Sequence, residues 1–402
     1  MKKILSRKML SIMFLGFASG IPLGVVMTLF QTWMKDSGID LQTIGLASLV
    51  QLPYSCKFLW SPFLDRYTLP FLGRRKGWML VAQIGMLISI ILLGNFNPKD
   101  DITIIMIMAT IISFFGATHD IVIDAFRRDV LSDEELGFGS AVATNSYLVG
   151  FRFLATVLGL TLADSYSWGF VFTLMAILTA LGMIGTMLAP NNDKEIAAPK
   201  SLKDAVIKPF VNYLMRPGAF EILFFILLYK LGDNLAGNLV TPFYLEMGYS
   251  KTEIGWVGKM IGFWAMFAGG FLGGTLLIKY NIRKCLMFFG ILQAFSTLLF
   301  ALLTKTGVSI FALGIVVGFE NLTAGMGTAA FAAFMLKLCD KKFSATQFAL
   351  LSSFMGIPRT IIPATAGFIA EPLGWSGFFI VCTLAAIPGL LMIQFRSKHW
   401  ES

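Results

Sequence analysis

Apolar residues run in long, nearly continuous stretches separated by short polar breaks. This is neither the alternation of a half-buried strand nor the one-sided stripe of a soluble helix. A helix needs about 20 mostly apolar residues to cross a bilayer. Reading the runs between breaks predicts spans over 9–33, 43–63, 78–95, 102–125, 138–163, 168–189, 218–245, 253–278, 284–303, 308–336, 345–370 and 374–395. The one long connection, about 190–217, is polar and contains Pro199, and it separates two sets of six. The predicted fold is an all-α polytopic membrane protein with twelve transmembrane helices in two six-helix pseudo-repeats. Its parts are an N-terminal bundle (1–190), a linker (191–217) and a C-terminal bundle (218–402). Continuous rather than alternating apolar runs exclude a transmembrane barrel.

The first apolar run follows Met1-Lys2-Lys3 as a signal peptide would, but continues to about Phe30. A signal core stops after about 7–15 residues, so the run reads as an uncleaved span. Composition agrees: of 402 residues 56% are hydrophobic and 14% charged, where soluble domains hold about 25% charged. That excludes a soluble enzyme, a disordered chain and a nucleic-acid-binding domain. The net charge of +9 has a topological cause. Of the 32 Lys and Arg, 23 lie in alternate connections counted from the N-terminus, four in the opposite set, and five inside spans. The positive-inside rule then puts both termini in the cytoplasm. Trp33, Trp60, Trp78, Trp168, Trp256 and Trp375 fall near span ends, as an interfacial belt would. Cys56, Cys285, Cys339 and Cys382 show no metal or disulfide spacing, so neither is expected.

The halves repeat. At a spacing of 207 residues Asp133 pairs with Asp340, Ser146 with Ser353, Arg152 with Arg359 and Trp168 with Trp375. Earlier in each half the spacing is 210, pairing Gly38 with Gly248 and Ile44-Gly45 with Ile254-Gly255. Between spans two and three, Asp65-Arg66 and then Gly73, Arg74 and Arg75 resemble the signature loop of the major facilitator superfamily, with a few residues inserted. The resemblance implies two six-helix halves with substrate bound between them. Charges in such a loop can pair with each other and with helix ends, so these five residues are candidates for a conformational switch.

Ionisable groups inside spans are costly and usually face a cavity or a partner. Here they include Lys57, Asp120, Asp124, Arg152, Lys230, Asp233, Lys259, Glu320 and Arg359. Asp120 and Asp124 share a helical face, although Asp124 lies close enough to Arg127 and Arg128 to pair with them. Lys230 and Asp233 can pair along their helix. Arg152 and Arg359 occupy repeat-related spans and would face a shared cavity. Arginines suit carboxylate or phosphate groups, which points to an anionic or zwitterionic solute. Candidate substrate-binding residues are therefore Arg152, Arg359, Lys230, Asn321 and Gln31. Candidate proton-coupling residues are Asp120, Glu320, Asp233 and Asp124. His119, beside Asp120, is a lone histidine in a span.

The segments Phe17-Ala-Ser-Gly-Ile-Pro-Leu23, Gln31-Thr-Trp33, Lys57-Phe-Leu-Trp-Ser-Pro62 and Ala117-Thr-His-Asp-Ile-Val-Ile-Asp-Ala125 resemble the AmpG-type muropeptide permeases. Tyr229-Lys-Leu-Gly-Asp233, Pro242-Phe243, Gly325-Met-Gly-Thr-Ala-Ala-Phe331 and Ala345-Thr-Gln347 continue the likeness through the second half. His119 stands where that family has Gln. The resemblance implies a monomeric, proton-coupled importer of anhydro-muropeptides in a bacterial inner membrane. A carrier of acetyl-coenzyme A or another anionic solute, and a non-transporting membrane receptor or scaffold, are the competing readings. Neither Walker loop nor catalytic constellation is present in the sequence, so neither enzyme activity nor a cofactor is expected.

Overall fold

The computed structural model describes residues 6–69, 72–190, 199, 201–237, 239–250, 253–361, 363–396 and 400. Side chains at 41, 42, 45, 48, 202, 255, 258, 259, 357–361, 363 and 364 fall outside the description. Among the described residues all regular structure is helical, apart from one isolated bridge between Leu69 and Gly73. The first long helix, α1, is Arg7–Asp36. Then come α2 (Leu41–Ala47), α3 (Leu52–Cys56) and α4 (Ser61–Arg66). Four long helices follow: α5 (Arg74–Leu93), α6 (Ile102–Val130), α7 (Leu136–Ala163) and α8 (Trp168–Leu188). After them lie α9 (Leu202–Leu214), α10 (Ala219–Tyr229), α11 (Leu231–Gly237) and α12 (Val240–Glu246). The chain closes with α13 (Gly262–Lys279), α14 (Ile282–Leu303), α15 (Ile310–Leu338), α16 (Ser344–Ile361) and α17 (Pro363–Phe395).

Among the described residues nine helices are long and apolar enough to cross a membrane. The number is ten if Lys203–Leu214 and Ala219–Glu246, bent by 86°, count as one. The chain is thus a polytopic α-helical membrane protein. Its departures from twelve uniform spans have local causes. The stretch predicted as a second span is broken into α2, α3 and α4 with tight 3-10 turns between them, and Pro53 and Pro62 begin two of the pieces. Proline fits a first helical turn, where its missing N–H has no partner to lose. The seventh predicted span is interrupted at Lys230, whose φ of −104° and ψ of 12° leave the helix. Gly374, at φ 63° and ψ 173°, breaks α17 where spans eleven and twelve were predicted to join.

The structure forms two compact units, one of Met1–Ser132, Val142–Phe210 and Leu336–Ser353, the other of Asp133–Ala141, Val211–Met335 and Phe354–Ser402. In the first, Ile21, Val25 and Leu29 of α1 pack with Ile90 of α5, Ile112 of α6 and Met175 of α8. Without a solvent-driven hydrophobic force in lipid, close backbone approach matters, and small residues permit it. A Cβ on Gly20 would strike the Tyr147 carbonyl, and one on Gly150 the Phe17 carbonyl, so α1 and α7 meet backbone to backbone. In the second unit, Phe243, Phe300, Phe378 and Phe379 form an aromatic core, with Phe300 and Phe379 stacked at 5.1 Å. There Gly269 faces Leu322 and Gly273 faces Met326, again leaving no space for a side chain.

The repeated glycines take the same local form. Gly38 has φ 80° and Gly248 φ 97°. The Gly38 N–H bonds Lys35 O and the next N–H bonds Met34 O; Gly248 and Tyr249 bond Leu245 O and Tyr244 O in the same pattern. Each ends a helix with a left-handed residue that glycine adopts without strain. Side chains then cap the next element: Asp40 accepts from Thr43 N–H, and Ser250 from Glu253 N–H.

Candidate functional site

The densest charge cluster forms in the first unit around the loop from Asp65 to Arg75. Gly73, at φ 80°, turns the chain so that α5 starts with Arg74 and Arg75 directed inward. Arg75 Nε donates to Asp129 at 2.8 Å, and its Nη2 donates to Asp65 at 3.0 Å and to Ser344 Oγ at 2.8 Å. Arg74 lies 3.7 Å from Asp129 and reaches the Asp65 carbonyl. Ser344 Oγ donates to the other Asp129 oxygen at 2.8 Å. Asp65, fully buried, accepts the Thr346 N–H at 2.8 Å and the Thr346 hydroxyl at 2.7 Å. Its charge therefore sits on the start of the 18-residue helix α16, where unpaired N–H groups favour an anion. Of the five switch candidates, Asp65, Arg74 and Arg75 are brought together and Gly73 shapes the turn. Arg66 instead lies over the Tyr67 ring, 5.5 Å from its centroid.

Beside this cluster, Arg128 Nε donates to the Cys339 carbonyl at 2.9 Å. Gln347 ties three segments together: it accepts from Asp340 N–H at 2.7 Å and donates to the Pro209 carbonyl at 3.1 Å.

A second group lies along α6. Asp120 accepts a hydrogen bond from Ser19 of α1, and Lys57, Asp124 and Arg127 are the charges acting on it. Asp124 is paired with Arg127 one turn on. Lys57 is buried, in the 3-10 turn after α3. His119 faces the other way. Its Nε2 lies 3.0 Å from Gln83 Nε2, and Gln83 Oε1 accepts from Thr186 at 2.9 Å, which links α6, α5 and α8. Both ends of Gln83 are thus engaged, and the adjacent His119 and Asp120 are bonded to different helices.

The third group belongs to the second unit. At the helix break the Lys230 ammonium donates to Asp233 at 2.9 Å and to Gln293 Oε1 of α14 at 3.1 Å. Gln293 Nε2 in turn donates to the Thr323 carbonyl of α15 at 3.0 Å. Glu320 accepts from Asn321 at 2.7 Å, and Asn321 also donates to Val317 O. Gln31 is half-buried on α1. Arg152 is exposed within Val149–Leu158, where α7 widens into π-helical turns. The side chains of Arg359 and Lys259 lie outside the description.

Sequence reasoning missed Ser19, Gln83, Gln293, Ser344 and Thr346. A signal for two of them was present: Gln83 and Gln293 are amides in apolar helices at the repeat spacing of 210.

Ionisable pairs held inside apolar helices are the arrangement expected along a solute or ion pathway. The sequence pattern of the Major Facilitator Superfamily matches residues 12–250 and 222–401. The anhydromuropeptide permease of Escherichia coli K12 is 42% identical over 384 residues, covering 95% of this chain and 78% of that protein. A putative transporter AmpG 4 of Rickettsia felis is 34% identical over 402 residues, covering 97% of both chains. Among solved structures, the human organic anion transporter MFSD10 aligns with TM-score 0.71 at 13% identity, over 96% of this chain and 99% of that one. The Escherichia coli fucose:proton symporter FucP aligns with TM-score 0.68 at 13% identity, over 97% of each chain. The chain belongs to the Major Facilitator Superfamily, among its AmpG-type permeases. Its role is secondary transport, not catalysis.

Proposed function

We propose that this protein imports anhydro-muropeptides across a bacterial inner membrane, driven by the proton gradient. The observation that carries the reading is the 42% identity to the E. coli anhydromuropeptide permease over 95% of the chain. A muropeptide bears carboxylates and an amphoteric peptide stem, which suits cations set inside apolar helices. In this reading Arg152, Arg359, Lys230, Asn321 and Gln31 meet the solute. Asp120, Asp124, Asp233 and Glu320 handle protons, and Asp65, Arg66, Gly73, Arg74 and Arg75 govern the switch on the cytoplasmic side.

The proposed architecture is twelve spans with both termini cytoplasmic, acting as a monomer. Bundles 1–190 and 218–402 alternate access around a midplane site. Protonation biases one state only through differential affinity, so at least one buried acid must change its partners between states. The test is uptake of labelled anhydro-muropeptide by liposomes holding the purified protein. Uptake that follows an imposed pH gradient and collapses with a protonophore is expected. Wild-type liposomes that take up none under the gradient would sink the muropeptide reading.

A further inference from the structure

We infer that Lys230, Asp233 and Gln293 form an exchange site in which a substrate carboxylate and a proton together replace the internal ion pair. The inference rests on the reading above and deepens it, since it names the group of the solute recognised here.

The geometry is that of a cation with one replaceable partner and one fixed partner. Lys230 sits at a point where the helix is broken, between α10 and α11. Its ammonium is shared by Asp233 at 2.9 Å and Gln293 at 3.1 Å. Gln293 is buried and anchored by its other end to the Thr323 carbonyl, so it holds the ammonium from the α14 side whatever Asp233 does. Asp233 is the more accessible partner, its side chain 33% exposed against 15% for Lys230. The groups facing Asp233 from packed elements are Lys230 and Tyr229 from its own segment and Cys382 from α17. From α14 the neutral Gln293 lies beside Lys230, with Cys285 near Tyr229. Among the described residues, Lys230 is the cation bonded to Asp233.

Charge conservation sets the order of events. With Asp233 ionised, ammonium and carboxylate cancel. If a substrate carboxylate arrives alone, two anions share one cation in a poorly solvated site, which is costly. If a proton first adds to an Asp233 oxygen, the ammonium is released toward the substrate carboxylate and the site is neutral again. The proton stays on Asp233 until the carboxylate leaves. Loss of that proton then restores the Lys230–Asp233 pair. One proton accompanies one carboxylate, and Gln293 keeps Lys230 in place through both states.

Reciprocal linkage gives the test. Wild-type protein in nanodiscs should bind anhydro-muropeptide more tightly as pH falls, by up to about tenfold per pH unit where one proton is taken up with the solute. Asp233→Asn frees Lys230 permanently, so it should bind with that slope removed. It should still exchange labelled for unlabelled solute across liposomes while failing to accumulate it up a gradient. Asp233→Glu should restore the slope, which guards against a folding defect in the Asn variant. A wild-type slope retained in Asp233→Asn overturns the exchange site. A cargo-free arm separates this outcome from a wrong cargo. Infrared difference spectra between alkaline and acidic buffer should contain a carboxyl band that Asp233→Asn removes and Lys230→Gln shifts. If both variants leave the spectrum unchanged, the exchange site is wrong. If the band behaves as stated but wild type binds no muropeptide, the site stands and the muropeptide reading falls.

Discussion

The carboxylate of Asp65 receives both the backbone N–H and the hydroxyl of Thr346, a residue 281 positions along the chain. The same carboxylate is bonded by Arg75, so a helix start and a guanidinium share one buried anion. Breaking a buried pair by removing one charge leaves the other uncompensated, at a cost of about 3–5 kcal/mol.

Asp65→Asn should lower thermal stability by about 3 kcal/mol and cut uptake at least tenfold. Thr346→Val keeps the backbone donor and loses only the hydroxyl bond, so its cost should be about 1 kcal/mol. Thermal unfolding in detergent, read beside liposome uptake, checks both. Equal effects of the two substitutions would show that the Asp65 charge is not what holds α16.

Arg75→Lys should fail although charge is kept. The guanidinium bonds Asp129, Asp65 and Ser344 through two different nitrogens, Nε and Nη2. A lysine ammonium is a single point and cannot span that spacing. A loss of at least half of the uptake rate is expected. Full activity would mean that net charge suffices.

His119→Gln should be tolerated and His119→Leu should not. Gln83 is bonded to His119 at 3.0 Å on one side and to Thr186 on the other. Leucine leaves the Gln83 amide nitrogen buried without that partner, which costs about 1–3 kcal/mol. A second amide can replace the imidazole as a partner. Melting curves of the two variants distinguish this bonding role from proton carriage: gradient-driven uptake retained by His119→Gln rules out the imidazole as the essential carrier.

Gly20→Leu should prevent correct packing of α1 on α7, because even a Cβ there meets the Tyr147 carbonyl. Gly38→Ala should be milder, at about 1 kcal/mol, since the only penalty is a left-handed φ of 80° with open space around it. Size-exclusion profiles after expression check the first and thermal midpoints the second. A monodisperse, active Gly20→Leu protein would remove the close-approach argument.

Helical membrane architecture could be read from the sequence because each span is a local property: about 20 apolar residues must hydrogen-bond their own backbone in lipid. The match between Gly38 and Gly248 could be read for the same reason, since both end a helix with the same left-handed turn. The breaks at Lys230 and around Pro53 and Pro62 were less legible, because apolar length alone does not distinguish a straight helix from a segmented one.

By its own residues the chain determined that it is a helical membrane protein, which turns need glycine, and that charges inside apolar runs must have partners. Beyond the local pairs Lys230–Asp233 and Asp124–Arg127, which helical spacing already offered, tertiary structure decided who those partners are. Arg75 meets Ser344 across 269 positions, and Lys230 meets Gln293 across 63. No helical periodicity encodes such a pairing. It depends on which helices pack together, and packing in lipid is settled by the shape of small residues and the cost of an unpaired polar group, both summed over the fold.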